Sequence, residues 1–200
     1  MASPVERRAQ LTRTTKETLV RIAINVDGSG QADIRVPVGF FRHMLELFAR
    51  HSLIDLTVEA QGDTHVDPHH TVEDVGICLG LALREALGKK EGVVRYGDCR
   101  LPMEECLISA AVDLGGRPYF VYRGPRFSAE KIGDFPSELV VDFWHAVATH
   151  VPCNLHIWVH YGRNSHHLAE GVFKAVARAI RQAVALDPRE QGIPSTKGVL

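Results

Sequence analysis

The chain has 200 residues, 45% hydrophobic and 24% charged, with a formal net charge of -1. This is ordinary globular composition for one compact unit or two small halves sharing a core. The balanced charge excludes a global drive toward nucleic acid or an anionic membrane.

Four cysteines, Cys78, Cys99, Cys106 and Cys153, form no C-x-x-C pair, which argues against a structural zinc knuckle. Without a signal peptide or a long apolar span, a cytoplasmic chain with no membrane or nucleic-acid partner is expected.

Residues 1–12 read as a flexible N-terminal tail. Alternation predicts a strand over 18–26, a Gly turn, and a second strand over 32–36. Phe40, Met44, Leu45, Leu47 and Phe48 recur at helical spacing over 39–50. A strand over 53–60 and a Gly/Asp/Pro loop follow, then a helix over 70–87 stopped by Gly88. Residues 93–102 read as a loop. A hairpin is expected over 106–114 and 118–122, across Gly115-Gly116. After an irregular stretch, a helix over 136–150 with Pro in its first turn precedes a strand over 155–161. A helix over 166–186 follows, which Asn164 or Ser165 can cap, and the tail 187–200 carries no periodicity.

Two of these helices open on one motif. His69-His70-Thr71-Val72-Glu73 and His166-His167-Leu168-Ala169-Glu170 are both His-His-x-x-Glu. Neighbouring residues on a helix point about 100° apart, so adjacent histidines do not easily grip one ion. A His and a Glu three or four positions apart do share a face. Two copies therefore suggest two metal sites, each built from pieces of both copies.

The repeat reaches further. Ala82-Leu83-Arg84-Glu85-Ala86 matches Ala179-Ile180-Arg181-Gln182-Ala183, and His51 to Leu56 matches His150 to Leu155. The same register sets His43 against Asp142, and Glu17-Thr18-Leu19 resembles Glu105-Cys106-Leu107. The chain reads as an internal duplication with halves over 13–92 and 93–186. Each half carries hairpins mixed with helices. The expected class is α+β, two similar half-units, each a small β-sheet packed by helices.

His and carboxylate donors without thiolate suit Mn²⁺, Fe²⁺ or Zn²⁺. The candidates are His43, His69, His70, Glu73, Asp142, His166, His167 and Glu170. Eight ligands over two octahedral ions leave open positions for substrate. Arg95, Arg117, Lys174 and Lys197 sit near Gly turns or the metal motifs, where they could clamp a phosphate. Ser195-Thr196-Lys197-Gly198 has an anion-binding composition but no Walker spacing. At this level a metal-dependent lyase, a dinuclear phosphate-ester hydrolase and a metal-storage protein all stay open.

The chain resembles the imidazoleglycerol-phosphate dehydratase family. The likeness rests on Thr15-Lys16-Glu17-Thr18, Gly39-Phe40 with His43-Met44-Leu45, His69 to Asp74, and Arg95-Tyr96-Gly97. It continues through Leu101-Pro102-Met103, Gly116-Arg117-Pro118, Asn164 with His166-His167, Phe173-Lys174-Ala175, and Ser195 to Gly198.

The resemblance implies two Mn²⁺ ions and a homo-oligomer of 24 subunits with metal sites shared between subunits. It places all eight candidates on metal-ligand positions, with Asp142 where the family often has His. Arg42 stands where the family usually has Asp. Glu17, His51 and Glu170 fall on catalytic positions. Substrate-binding positions fall on Glu17, His43, His69, Glu73, Arg95, Arg117, His166, Lys174, Ser195, Thr196 and Lys197. The implied reaction dehydrates the small-molecule substrate D-erythro-imidazoleglycerol phosphate to imidazole acetol phosphate through an imidazolate/diazafulvene intermediate. Either Glu170 or Glu17 would transfer the proton, with His51 assisting.

Overall fold

Alternating burial makes the strands, and nearly continuous burial along one side makes the helices. The computed structural model describes residues 6–125 and 127–200. The first half runs β1 (Arg8–Thr14), β2 (Thr18–Asn25), β3 (Ala32–Arg35), α1 (Gly39–Ser52), β4 (Asp55–Gly62) and α2 (His69–Leu87). The second runs β5 (Tyr96–Met103), β6 (Cys106–Asp113), β7 (Tyr119–Arg123), the short β8 (Lys131–Ile132) and β9 (Phe135–Pro136), α3 (Leu139–His150), β10 (Asn154–Tyr161) and α4 (Ser165–Ala183).

The two halves match element by element. The first sheet has the order β1-β2-β4-β3 and the second β5-β6-β10-β7. In each, the last strand of the list runs parallel to its neighbour and the other pairings are antiparallel. This is the α+β pair of similar half-units that the repeat implies.

The helices fill the space between the sheets. α2 packs on β1 and β2, and α4 packs on β5 and β6. Across the middle, α2 meets α3 and α1 meets α4. Phe41, Phe143, Trp144 and Phe173 are fully buried there, with Phe143 and Trp144 edge to face at 4.9 Å. Val172, Val176, Ile180 and Val184 of the second motif helix are buried within this chain.

Small residues set the α2–α3 approach. A Cβ on Gly76 would lie 2.9 Å from the Phe143 carbonyl oxygen, and one on Gly80 would lie 2.7 Å from that of Val147. Only glycine lets the two backbones come this close.

Several expectations need correction. The tail assigned to 1–12 is strand β1 from Arg8 onward, paired with β2 from Arg8↔Asn25 to Thr14↔Leu19; residues 1–5 lie outside the described residues. The loop assigned to 93–102 is largely strand β5. Both are edge strands with polar outer faces, so their alternation is weak. Gly97 and Pro102 also disguise β5: an edge position tolerates the proline, and Gly97 lies against the Ala179 carbonyl too closely for any Cβ. The hairpin expected over 106–114 and 118–122 does not form, and the strands expected over 18–26 and 32–36 do not pair with each other. β4 inserts between β2 and β3, and β10 between β6 and β7. Pro136 belongs to β9, and α3 starts at Leu139.

Candidate metal centre and substrate site

The start of α4 is fixed by Asn164. Its side-chain oxygen accepts from the backbone N–H of His166 at 2.9 Å and of His167 at 3.4 Å, satisfying donors the helix cannot. At α2 the Asp67 carboxylate accepts from the His69 N–H at 2.8 Å instead. In both motifs the two histidine rings stand 86° apart, with centroids 6.0 Å apart in α2 and 6.1 Å in α4. Adjacent histidines thus face different directions, as helix geometry requires.

The α1–α4 contact brings the two halves to one point. His43 Nε2 lies 2.9 Å from Glu170 Oε1, and His166 Nε2 lies 3.0 Å from the same oxygen. All three donor atoms fall within 4.8 Å of one another. Lys174 Nζ donates to the other oxygen, Oε2, at 2.6 Å. Burial of Glu170 works against its ionisation. The hydrogen bonds from Lys174, His43 and His166 prevail and hold its carboxyl down at about 2.

This cluster fits a divalent cation. Donors about 2.1 Å from an ion and at right angles to one another would be about 3 Å apart. The observed separations of 2.9 and 3.0 Å match that, and two imidazole nitrogens with one carboxylate oxygen suit Mn²⁺, Fe²⁺ or Zn²⁺.

By the internal symmetry, Asp142 on α3 mirrors His43 on α1, and His69 and Glu73 mirror His166 and Glu170. This second set is looser. His69 Nε2 and Glu73 Oε2 are 3.9 Å apart. Asp142 lines a groove of 1320 Å³ with Asp67 and Pro68, at the head of α2.

The other two motif histidines each find a carboxylate. His70 Nδ1 lies 3.0 Å from Asp63, and His167 Nδ1 lies 2.8 Å from Glu105. Glu105 also accepts from the Asn164 N–H at 2.7 Å, and its carboxyl is held at about 2, first by the His167 hydrogen bond.

Glu17 is exposed on the β1–β2 turn, near His70, and the Asp63 N–H donates to its carbonyl at 3.2 Å. That turn is anchored to α2 by Asp74, which is buried, accepts from Arg13 Nε at 2.8 Å and pairs with the Thr18 hydroxyl. His51, in the last turn of α1, is pushed below its ordinary value. Burial is the main cause, and Lys174, Arg178 and Arg50 add to it. Arg42 pairs with Glu46 at 2.9 Å on the exposed face of α1, away from the cluster's donor atoms.

The cations expected on phosphate do not form one group. Lys174 stays with Glu170. Arg95 sits at the opposite end of α4, where its N–H donates to the Ala183 carbonyl at 2.9 Å. Its φ of 74° is left-handed, a conformation that costs a non-glycine residue about 1–2 kcal/mol. Asp113 accepts from its guanidinium at 2.7 and 3.2 Å, and the Pro194 carbonyl accepts at 2.8 Å. The C-terminal tail is therefore tied to Arg95, immediately before Ser195. Thr196, Lys197 and Arg117 are exposed nearby in sequence or at the Gly115-Gly116 turn, against which Leu200 packs.

Sequence pattern alone does not mark Asp63, Asp74, Glu105 or Asp113 as site residues. Glu105 left a signal, since it aligns with Glu17 in the repeat. The other three are single carboxylates whose partners lie 7 to 61 residues away, as in His70–Asp63 and Arg13–Asp74.

A duplicated α+β fold with a His/carboxylate cluster at the junction of its halves suits a metal-dependent enzyme, and comparison with known proteins narrows the class. The family model for imidazoleglycerol-phosphate dehydratase matches residues 36–180. Imidazoleglycerol-phosphate dehydratase of Rhodopirellula baltica is 56% identical over 194 residues, covering 97% of this chain and 96% of its own. That of Geobacillus kaustophilus is 50% identical over 194 residues, covering 97% and 99%. The crystal structure of the Staphylococcus aureus enzyme superposes with a TM-score of 0.82 at 40% identity, covering 90% of this chain and 99% of that one. The Pyrococcus furiosus structure, in complex with (S)-C348, gives 0.81 at 32% identity, covering 95% and 100%.

The chain belongs to the imidazoleglycerol-phosphate dehydratase family. It is a hydro-lyase of histidine biosynthesis.

Proposed function

We infer that the chain dehydrates D-erythro-imidazoleglycerol phosphate to imidazole acetol phosphate, at sites that copies of the chain complete together around two Mn²⁺ ions. The observation that carries this reading is the convergence of His43, His166 and Glu170, from opposite halves of the repeat, at 2.9 and 3.0 Å.

The reaction breaks one C–H and one C–O bond. The proton passes to a base, the hydroxyl leaves as water after gaining a proton, and the resulting enol becomes the ketone. A divalent cation would hold the imidazole ring and favour its deprotonated, electron-rich form. His43, His69, His70, Glu73, Asp142, His166, His167 and Glu170 would supply the ligands. Both oxygens of Glu170 are engaged, by two imidazoles and Lys174, so it is a better ligand than base. Glu17 makes no side-chain hydrogen bond among the described residues and sits on an exposed turn beside His70, which suits proton transfer. His51, whose buried and cationic surroundings favour its neutral form, can assist. Arg95, Arg117, Ser195, Thr196 and Lys197 would take the phosphate.

The distance between these groups supports an assembled site. Glu170 and Ala183, the anchor of Arg95, are thirteen helical residues apart, which is about 20 Å at 1.5 Å per residue. Three carbons link ring to phosphate ester in the substrate, at about 1.5 Å per bond, far short of that span. One chain cannot place its own metal cluster and its own Arg95 on one substrate molecule. A closed homo-oligomer of 24 subunits, working in the cytoplasm, is consistent with this. No helix among the described residues is long and apolar enough to cross a membrane.

The test is turnover of imidazoleglycerol phosphate by the purified chain, with Mn²⁺ and with a chelator. Chelator-sensitive formation of imidazole acetol phosphate without inorganic phosphate is expected. Release of inorganic phosphate would make the chain a hydrolase. No product with metal bound would overturn the reading.

A further inference from the structure

The repeat sets Glu17 and Glu105 at equivalent turns, β1–β2 and β5–β6, yet the structure uses them differently. Glu105 is tied down on both oxygens: Oε2 faces His167 Nδ1 at 2.8 Å, and Oε1 accepts from the N–H groups of Arg163 and Asn164 at 3.3 and 2.7 Å. In the first half that work falls to another residue. His70, the counterpart of His167, is met at Nδ1 by Asp63, at 3.0 and 3.3 Å to its two oxygens.

The second half does not copy that solution. β10 carries a bulge between Val159 and Tyr161, so Gly162 is the counterpart of Gly62. The two glycines face equivalent neighbours: a Cβ at Gly162 would meet Cys106 and Leu168, and one at Gly62 would meet Thr18 and Thr71. The residue equivalent to Asp63 is therefore Arg163, which has no carboxylate to offer. The β5–β6 turn supplies it instead, through Glu105.

We infer that Asp63 and Glu105 are positioning residues that fix the His70 and His167 rings with the proton on Nδ1, and that Asp63, by taking this role in the first half, frees Glu17 for proton transfer. A neutral imidazole that donates from Nδ1 offers its Nε2 lone pair to a metal, and the carboxylate raises its basicity. Among the described residues, Nε2 of neither ring has a hydrogen-bond partner, which leaves both free for an ion. One duplicated glutamate thus serves as two different tools, because a carboxylate, Asp63, stands behind the histidine in one half and Arg163 holds the equivalent position in the other.

The inference rests on the proposed metal site, and one experiment separates the two. The full-length chain is stripped of metal and titrated with Mn²⁺ by calorimetry, as wild type and as Asp63→Ala, Glu105→Ala, Glu105→Gln and Glu17→Ala. Loss of the carboxylate behind a metal-bound histidine typically weakens metal binding about 10–100-fold. That loss is expected for Asp63→Ala and Glu105→Ala. Glu105→Gln keeps an acceptor oxygen for Nδ1–H and is expected to recover part of it. Glu17→Ala is expected to bind Mn²⁺ within about 3-fold of wild type while losing turnover. Wild-type affinity in both Asp63→Ala and Glu105→Ala would overturn the inference and leave the metal site standing. So would equal loss of affinity in Glu17→Ala. A wild-type chain that binds no Mn²⁺ would overturn the metal site itself, and this inference with it.

Discussion

Lys174 Nζ donates to Glu170 Oε2 across 2.6 Å, one turn along α4, while Oε1 of the same carboxylate faces His43 and His166. The lysine stands behind the proposed metal cluster and holds its carboxylate ionised and in place. The family resemblance implies phosphate binding for it, and the geometry proposes a second role. Lys174→Met should therefore lower metal content as well as turnover. A charged hydrogen bond lost here is worth about 1.5–3 kcal/mol, roughly a 10- to 100-fold fall in affinity for Mn²⁺. Metal analysis of the purified variant checks this. A pure phosphate ligand would raise KM and leave metal content unchanged.

Arg95 depends on Asp113 in a similar way. The Asp113 carboxylate takes the guanidinium at 2.7 and 3.2 Å, and both side chains are mostly buried. Asp113→Ala removes the group that aims the arginine and steadies its left-handed backbone. KM is expected to rise about ten-fold or more, from the loss of about 1.5–3 kcal/mol, with metal content unchanged. Steady-state kinetics beside metal analysis would show it.

Gly80 carries a purely structural prediction. An added Cβ would meet the Val147 carbonyl at 2.7 Å and His150 Cβ at 2.8 Å, forcing α3 away from α2. Gly80→Ala gains about 1 kcal/mol of helix propensity but incurs about 1–3 kcal/mol of overpacking. Net destabilisation is expected, measured by chemical unfolding.

His51 gives a pH dependence with a definite sign. Burial, then Lys174, Arg178 and Arg50, lower its value below 6.5, while Glu170 pulls weakly the other way. The folded chain therefore binds this proton less readily than the unfolded chain. Stability is full above about 6.5 and falls as the pH drops through the folded value. His51→Gln lacks this titration. Compared from about pH 8 to about pH 5, the wild type should lose more stability than the variant.

Much of the fold was legible because helix-periodic runs and paired His-His-x-x-Glu motifs are local patterns. The repeat also paired His43 with Asp142, and the structure places each on the helix that reaches the other half's motif. What the sequence concealed was non-local. β1 and β5 are edge strands whose outward residues, such as Arg8 and Arg100, look like loop. The insertion of β4 between β2 and β3 is a choice of partner, and no turn signal encodes it. The pairing of Arg95 with Asp113 and of His167 with Glu105 depends on that same strand order. The departure at Asp142 was visible as a residue change, whereas the looseness of the second ligand set needed coordinates.

On the proposed function, a working site joins the metal cluster of one chain to Arg95 of another. The most direct test co-expresses two variants, Arg95→Ala and His166→Ala, each expected to be nearly inactive alone. If sites form between chains, random mixing gives up to about one site in four that takes both intact ends, because each end comes from a different copy. Mixed oligomers should recover up to about a quarter of wild-type activity. Mixed, folded oligomers with no more activity than either variant alone would contradict it.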